Sequence, residues 1–307
     1  MTFIMLGDNI GKTLKIIALI GISVFAIRFL IWTDSFHTGL LYIALPFALS
    51  LILYYFTPVT EGISWKQRFW NNLRSSLIIM FSVSIILMEG YVCVVMFMPI
   101  FFLFTLIAFI ADYIRYRSDK GSLNAHVIPA LVVVMSMEGI SDETTFNRYN
   151  EVTYSQVIQA DVSTIKHRLA QPIELSDKRH WIITVFPMPA KIEAGSLNQG
   201  DTHTLDFVYH RWFTTNTHQG NLKVTLDEVT NTHIKTSIQD ESYISNYMTL
   251  HGTELAFEPI SSEETLVSLT IHFDRMLDPV WYFEPLERFA VKKSAEFLVN
   301  ELLNKGA

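Results

Sequence analysis

The chain is 307 residues long, half of them hydrophobic, and carries 23 Lys and Arg against 30 Asp and Glu. The charge is uneven: residues 1–138 hold nine basic and seven acidic residues, whereas residues 139–307 hold fourteen and twenty-three, a net −9. An acidic second half argues against nucleic-acid binding and against adhesion to anionic lipid through a basic patch. The single cysteine, Cys93, lies in an apolar run, so an internal disulfide is excluded and cysteine usage says nothing about compartment.

In chain order, residues 16–27 form an uncharged apolar run and Arg28 is followed by the apolar 29–32; counted from Leu14 the stretch is long enough to span a bilayer, with Arg28 snorkelling near one end. Residues 39–56 form a second such run, with Pro46 tolerable inside a membrane helix. Residues 75–111 are apolar over a length that only two crossings can accommodate, broken by Glu89 alone. A turn at Glu89-Gly90 would leave a first arm of 75–88, too short to span. The expectation is therefore a turn near 97–99, with helices over 75–96 and 99–113. Glu89, Cys93 and Met96 would then share one face of the third helix, with Pro99 opening the fourth. An ionisable residue inside a span is a functional flag, and Arg28 is the expected partner of Glu89.

A fifth stretch, 125–137, is short and contains Pro129. Basic residues cluster before the first helix, between the second and third, and after the fourth. Asp34 and Glu138 mark the other side. This pattern puts the N-terminus in the cytoplasm and favours a crossing at 125–137, which would leave the second half outside the cytoplasm; the alternative, from its length, is an interfacial stretch with the second half in the cytoplasm.

Beyond residue 140 the periodicity changes. Residues 152–159 read as a strand, and Asp161 caps a short helix over 162–169. Residues 181–186 form a further short element. Strands follow at 204–213, at Leu222, Val224 and Leu226, at Ile234, Thr236 and Ile238, at 242–250 and 253–258, and at Val267, Leu269, Ile271 and Phe273. Links at 218–221, 228–232, 251–252 and 261–264 are short and turn-like, which implies an antiparallel meander. The last element is a long helix opening at Pro285, preceded by a turn in which Asp278 caps and Pro279 sits harmlessly. Its apolar half is Leu286, Ala290, Val291, Ser294, Ala295, Phe297, Leu298 and Leu302. The middle of that face is small, either for close packing on the sheet or to leave room for a ligand.

Residues 154–163 (YSQVIQADVS), Leu277-Asp278-Pro279 and Pro285-Leu-Glu-Arg288 resemble the START-related superfamily that includes polyketide cyclase-like and lipid-transfer proteins, with Asp161 replacing the usual proline after Ala160. The resemblance covers about 151–303. It implies a helix-grip α+β fold, in which a curved antiparallel sheet surrounds the C-terminal helix over an apolar cavity, and it implies no particular chemistry. The segment Glu89-Gly90-x-x-Cys93-x-x-Met96-x-x-Pro99 resembles membrane segments that precede such domains in bacterial proteins. The expected organisation is a transmembrane domain of four or five helices over 1–140 and a helix-grip domain over 141–307, in a bacterial inner membrane.

Candidate residues follow from position. On the odd face of 204–213, Tyr209 and Arg211 are polar groups among apolar ones, and a buried Arg needs an anionic partner. Trp281 belongs to an aromatic cluster, Trp281-Tyr282-Phe283, that could rim a cavity, fill the core or form a membrane-facing belt near the base of the domain. Ala290, Ser294 and Phe297 face the expected cavity, and Tyr247 is a further candidate. His203 and His210 are seven apart on one strand and read as solvated strand residues. No metal motif, catalytic triad order, phosphate loop or cofactor fingerprint is present. The sequence points to a membrane-anchored binding protein for a hydrophobic or amphipathic, lipid-like small molecule. A cyclase- or dehydratase-type enzyme using Tyr209, His210 and Tyr247, and a structural or sensory protein with a filled core, are the alternatives.

Overall fold

The structure, a computed structural model, describes residues 2–56, 63–87, 91–117, 124–175, 189–193, 195–211, 216–240, 245 and 247–304. The chain forms two compact units, Met1–Phe146 and Asn147–Ala307.

The first unit is helical: α1 (Thr2–Trp32), a π-turn at Leu40–Ala44 running into α2 (Leu45–Phe56), α3 (Trp65–Ile86), α4 (Tyr91–Arg117) and α5 (Asn124–Met135). The π-turn adjoins Pro46, and Leu45 N bonds Leu40 O. Proline offers no N–H to the carbonyl four residues back and crowds it, so a wider turn just before it relieves both problems. Three helices, Thr13–Trp32, Trp65–Ile86 and Val94–Arg117, are long and apolar enough to cross a membrane, and Leu40–Phe56 is a shorter apolar helix.

The expected hairpin is corrected. Helix α3 begins at Trp65, ten residues before the apolar run, under a capping box in which the Ser64 and Gln67 side chains each take the other's backbone N–H. Those ten residues supply the length that the first arm was thought to lack, so α3 ends at Ile86. Helix α4 starts at Tyr91 and carries Pro99 in its interior. Glu89 lies outside the described residues, so the expected contact with Arg28 does too.

The arginine and aspartate at the ends of this hairpin are not simple flanking charges. Arg68 donates to Asp112 Oδ2 from Nε at 3.1 Å and from Nη2 at 2.9 Å, and to the Tyr54 carbonyl at 3.1 Å. Arg115 takes the other Asp112 oxygen at 2.7 Å. Arg68 and Asp112 are both buried, which ties together α2, α3 and α4. Ser50 Oγ and Thr105 Oγ1, 3.2 Å apart, link α2 to α4 further along.

The second unit is an eight-stranded antiparallel sheet, a long helix and one short helix. Its strands are β1 (Tyr149–Ile158), β2 (Ile173–Glu174), β3 (Pro189–Glu193), β4 (Thr202–Arg211), β5 (Asn216–Val229), β6 (His233–Asp240), β7 (Met248–Pro259) and β8 (Thr265–Arg275). The helices are α6 (Val162–Leu169) and α7 (Val280–Asn304). The order β1-β8-β7-β6-β5-β4-β3-β2 is a meander closed at one end by the first strand pairing with the last. Irregular register at Pro189/Lys191, Leu226/Glu228 and Leu250/Gly252 adds local twist, which bends a sheet around a partner. Helix α7 packs on β1, β8 and α6. The core lies between: Val267, Leu269, Ile271 and Phe273 of β8 meet Val291, Ala295 and Val299 of α7. The strict in–out alternation of β8 is the sequence pattern made physical.

As expected, Asp161 caps α6, accepting from Thr164 N at 3.0 Å, and the Ser163 and Thr164 bonds pull its carboxyl down to about 2. Three other expectations are corrected. Residues 218–221 lie within β5, and 251–252 within β7. At the latter, His251 is the extra residue of a bulge, and a Cβ on Gly252 would sit 2.0 Å from Thr236 O, so only glycine fits. Helix α7 begins at Val280, with Pro285 inside it. Trp281 and Pro285 are both exposed, so the proline sits on the outer side of the helix. Asp278 is not a helix cap. It is fully buried and takes Arg275 Nη1 on Oδ1 and Arg148 Nη2, at 3.0 Å, on Oδ2. The element expected at 181–186 lies outside the described residues.

A candidate ligand cavity between the sheet and the long helix

The concave face of the sheet and the inner face of α7 enclose a cavity of about 260 Å³. Its sheet wall follows the period of two: Leu222, Val224 and Leu226 of β5, then Ile234, Thr236 and Ile238 of β6. Leu250, Leu255 and Ile271 extend that wall across β7 and β8. The helix wall is Ala290, Val291, Ser294, Leu298 and Val299. Ala290 and Ser294 are one turn apart, and Ser294 Oγ donates to the Ala290 carbonyl at 3.0 Å, so even the serine presents little polarity. Of the small residues at mid-helix, Ala290 and Ser294 thus border empty space, whereas Ala295 packs in the core against β8.

Few polar side chains touch this space. Thr236 Oγ1 and Thr253 Oγ1 are 2.8 Å apart across β6 and β7, and Thr253 N donates to Thr236 Oγ1 at 3.1 Å. His203 of β4 is buried, with Nε2 2.7 Å from the Ser196 carbonyl. A carbonyl only accepts, so Nε2 carries the proton of this bond. The loop that holds Ser196 is fixed by Asp201, whose carboxylate accepts from Ser196 Oγ and from Asn198 N at 2.9 Å. The Ser196 bond holds the Asp201 carboxyl below its usual range. Such a cavity can bury an apolar body and orient it with a few neutral donors and acceptors.

A second polar cluster lies at the start of α7. Arg275 and Asp278 are 0 % exposed and Glu287 is 1 % exposed. Neither oxygen of Glu287 has a hydrogen-bond partner among the described residues, and Nε and Nη2 of Arg275 are likewise unbonded there. Burial holds the Glu287 carboxyl well above the ordinary carboxylate range, against the opposing pull of Arg275.

Of the residues singled out in the sequence, the cavity brings together Ala290 and Ser294. Phe297 is buried but is not among the described lining residues. Trp281 is 43 % exposed and contacts Tyr282 edge-on, and Tyr247 is partly buried, away from the described lining. The backbones of Tyr209 and Arg211 pair with His218 and Asn216 in β4–β5, and their side chains lie outside the described residues, as does that of His210. In the helical unit Met96 is buried and Pro99 exposed, both on α4. The Cys93 side chain and all of Glu89 lie outside the described residues.

The reading of His203 as a solvated histidine is corrected: it is buried and lines the cavity. It falls in step with Leu205 on the odd set of β4, and starting that strand at Thr202 instead of Thr204 would have found it. No group of three or more His, Cys, Asp or Glu side chains placed to hold a metal occurs among the described residues.

No protein-family model and no curated protein matches this sequence. Solved structures match its C-terminal half. The ZhuI aromatase/cyclase from Streptomyces sp. R1128 is 18% identical, over 51% of this chain and 93% of that one, with a TM-score of 0.34. A START superfamily protein from Mycobacterium smegmatis is 14% identical, over 50% and 95%, with a TM-score of 0.35. A truncated norcoclaurine synthase from Thalictrum flavum is 13% identical, over 50% and 95%, with a TM-score of 0.32. The strand order and the gripped helix of this chain themselves make its C-terminal half a helix-grip fold.

Proposed function

We propose that this chain is a membrane-anchored binding protein for a hydrophobic or amphipathic small molecule, held between the sheet and α7. The observation that carries the proposal is the cavity of about 260 Å³ bordered by Ala290 and Ser294. Cores pack to crystal density, so an apolar space beside two small residues of a helix face is room for an occupant. At about 30 Å³ per water-sized group it has room for about nine such groups, the scale of a medium-length acyl chain or a fused two-ring body.

Anchoring is supported by the three helices of spanning length and by the outward apolar faces of α1 and α5, where Phe25, Leu131, Val133 and Val134 are exposed. Support for placing the second unit outside the cytoplasm comes from the ends of the helical unit. Lys15 reaches the Phe56 carbonyl at 3.5 Å, and Arg68, Asp112 and Arg115 cluster, so Lys15 of α1, Arg68 of α3 and Arg115 of α4 gather at one end, while Arg28 lies toward the other end of α1. At the far end Gly39 N donates to Glu138 O at 2.9 Å, and a Cβ on Gly39 would come within 3.0 Å of Ser136 O. The chain therefore leaves the helical unit at the end away from Lys15, Arg68 and Arg115, and clustered cations mark the cytoplasmic side.

Titrating the detergent-purified full chain with a neutral naphthalene fluorophore tests the binding claim. Saturable enhancement, competed by a medium-chain alcohol and abolished in Ser294→Phe, is expected. Enhancement that is unchanged in that variant would place the dye elsewhere and remove the support.

A further inference from the structure

The face of α7 turned away from the cavity carries a second signal. Within Val280–Glu301 the exposed residues are Trp281, Pro285, Arg288, Phe289 and Lys292. Their spacing of i, i+4, i+7, i+8 and i+11 puts them on one face of the helix. Trp281 is 43 % exposed and Phe289 44 %, large apolar surface to leave in water. No carboxylate is among the five. Glu296 is partly buried and accepts from Lys293 at 2.7 Å, while Glu284 is partly buried and Glu287 fully so. Arg288, which donates from Nη1 to Asn150 Oδ1 at 3.0 Å, and Lys292 thus stand beside two exposed aromatics on a half-chain of net charge −9.

We propose that this face of α7 docks on the anionic headgroup surface of a bilayer, Trp281 and Phe289 entering the interface and Arg288 and Lys292 meeting lipid phosphates. Aromatic rings with cations on one helix face are the chemistry of interfacial helices, and the charge complements anionic lipid alone. The net acidity of the domain argued against such adhesion, but a local face decides contact within a Debye length of about 8 Å. The proposed membrane helices on the same chain hold the domain near such a surface at high effective concentration, so a weak patch suffices. Docking needs no ligand in the cavity and stands or falls separately from the binding reading.

The test uses the full chain in nanodiscs of zwitterionic lipid, with or without a phosphatidylglycerol fraction. Cys93→Ser with Phe289→Cys carries an environment-sensitive fluorophore at position 289. In anionic discs the label should shift to the blue, resist aqueous iodide and be quenched by brominated lipid tails. Adding Arg288→Gln and Lys292→Gln should shift the docking equilibrium by about thirtyfold, the worth of two cations near an anionic surface. Hydrogen exchange on the unmodified chain should show slowing over 281–292 in anionic discs only, which guards against a misfolded labelled variant. Equal iodide access in both lipids would overturn the proposal. So would protection that ignores lipid charge and grows with protein concentration, which would mean a second copy.

Discussion

Replacing Ser294 with Phe adds about five non-hydrogen atoms, about 100 Å³ at the packing density of protein interiors, to the middle of the inner face of α7. The cavity there measures about 260 Å³, so the ring enters space that is already present and takes more than a third of it. The bond lost, from Ser294 Oγ to the Ala290 carbonyl at 3.0 Å, is a side-chain bond back onto the helix that contributes little. The stability change is therefore expected within about 1 kcal/mol, whereas forcing the same ring into a packed core costs about 1–3 kcal/mol. Ligand capacity should fall sharply. The assay pairs thermal unfolding, followed by tryptophan emission, with the fluorophore titration. A large loss of stability together with unchanged binding would show that Ser294 faces packed core and that the cavity assignment is wrong.

Gly252→Ala should destabilise the second unit by at least about 1–3 kcal/mol, seen as a lower thermal midpoint, because the new Cβ would meet the Thr236 carbonyl at 2.0 Å. Asp112→Asn should cost the helical unit about 3–5 kcal/mol in detergent melts, since Arg68 stays buried without its charge partner, while Arg68→Met with Asp112→Leu should recover most of the loss. For Glu287, burial raises the folded-state value above the ordinary 4.5, so the unfolded chain releases its proton first as pH rises. Stability from this group is complete below 4.5 and is lost as pH climbs toward the raised value. Glu287→Gln should remove that slope and stabilise the unit at neutral pH, and a destabilised Gln variant at pH 7 would show that Glu287 is ionised against Arg275. Protease added to intact spheroplasts should degrade the second unit, and full protection there with cleavage in inverted vesicles would put it in the cytoplasm.

Patterns set by period were legible in the sequence; those set by tertiary contact were not. The alternation of β8 and the Asp161 cap are local, and both appear where expected. The α3–α4 turn was misplaced because apolarity was taken as the measure of helix length, while the polar residues from Trp65 to Arg74 are helical under a capping box. The 251–252 link looks like a turn in sequence because a bulge and a turn use the same glycine, and only pairing with β8 tells them apart. Within the site, Ala290 and Ser294 were readable because helical spacing fixes which face they share. His203 was not, because its burial depends on the 195–201 loop folding back to offer the Ser196 carbonyl. Arg68 reads as one of the basic residues between two helices, and its pairing with Asp112, 44 residues away, exists only once the helices come together.

Native mass spectrometry of the full chain, released from detergent after purification from its own membrane, tests the central claim most directly. The account predicts a bound species of small mass, released on activation, apolar by chromatography and missing from Ser294→Phe. A chain that flies without adduct, and that takes up no acyl or ring probe even at saturating concentration, would contradict it.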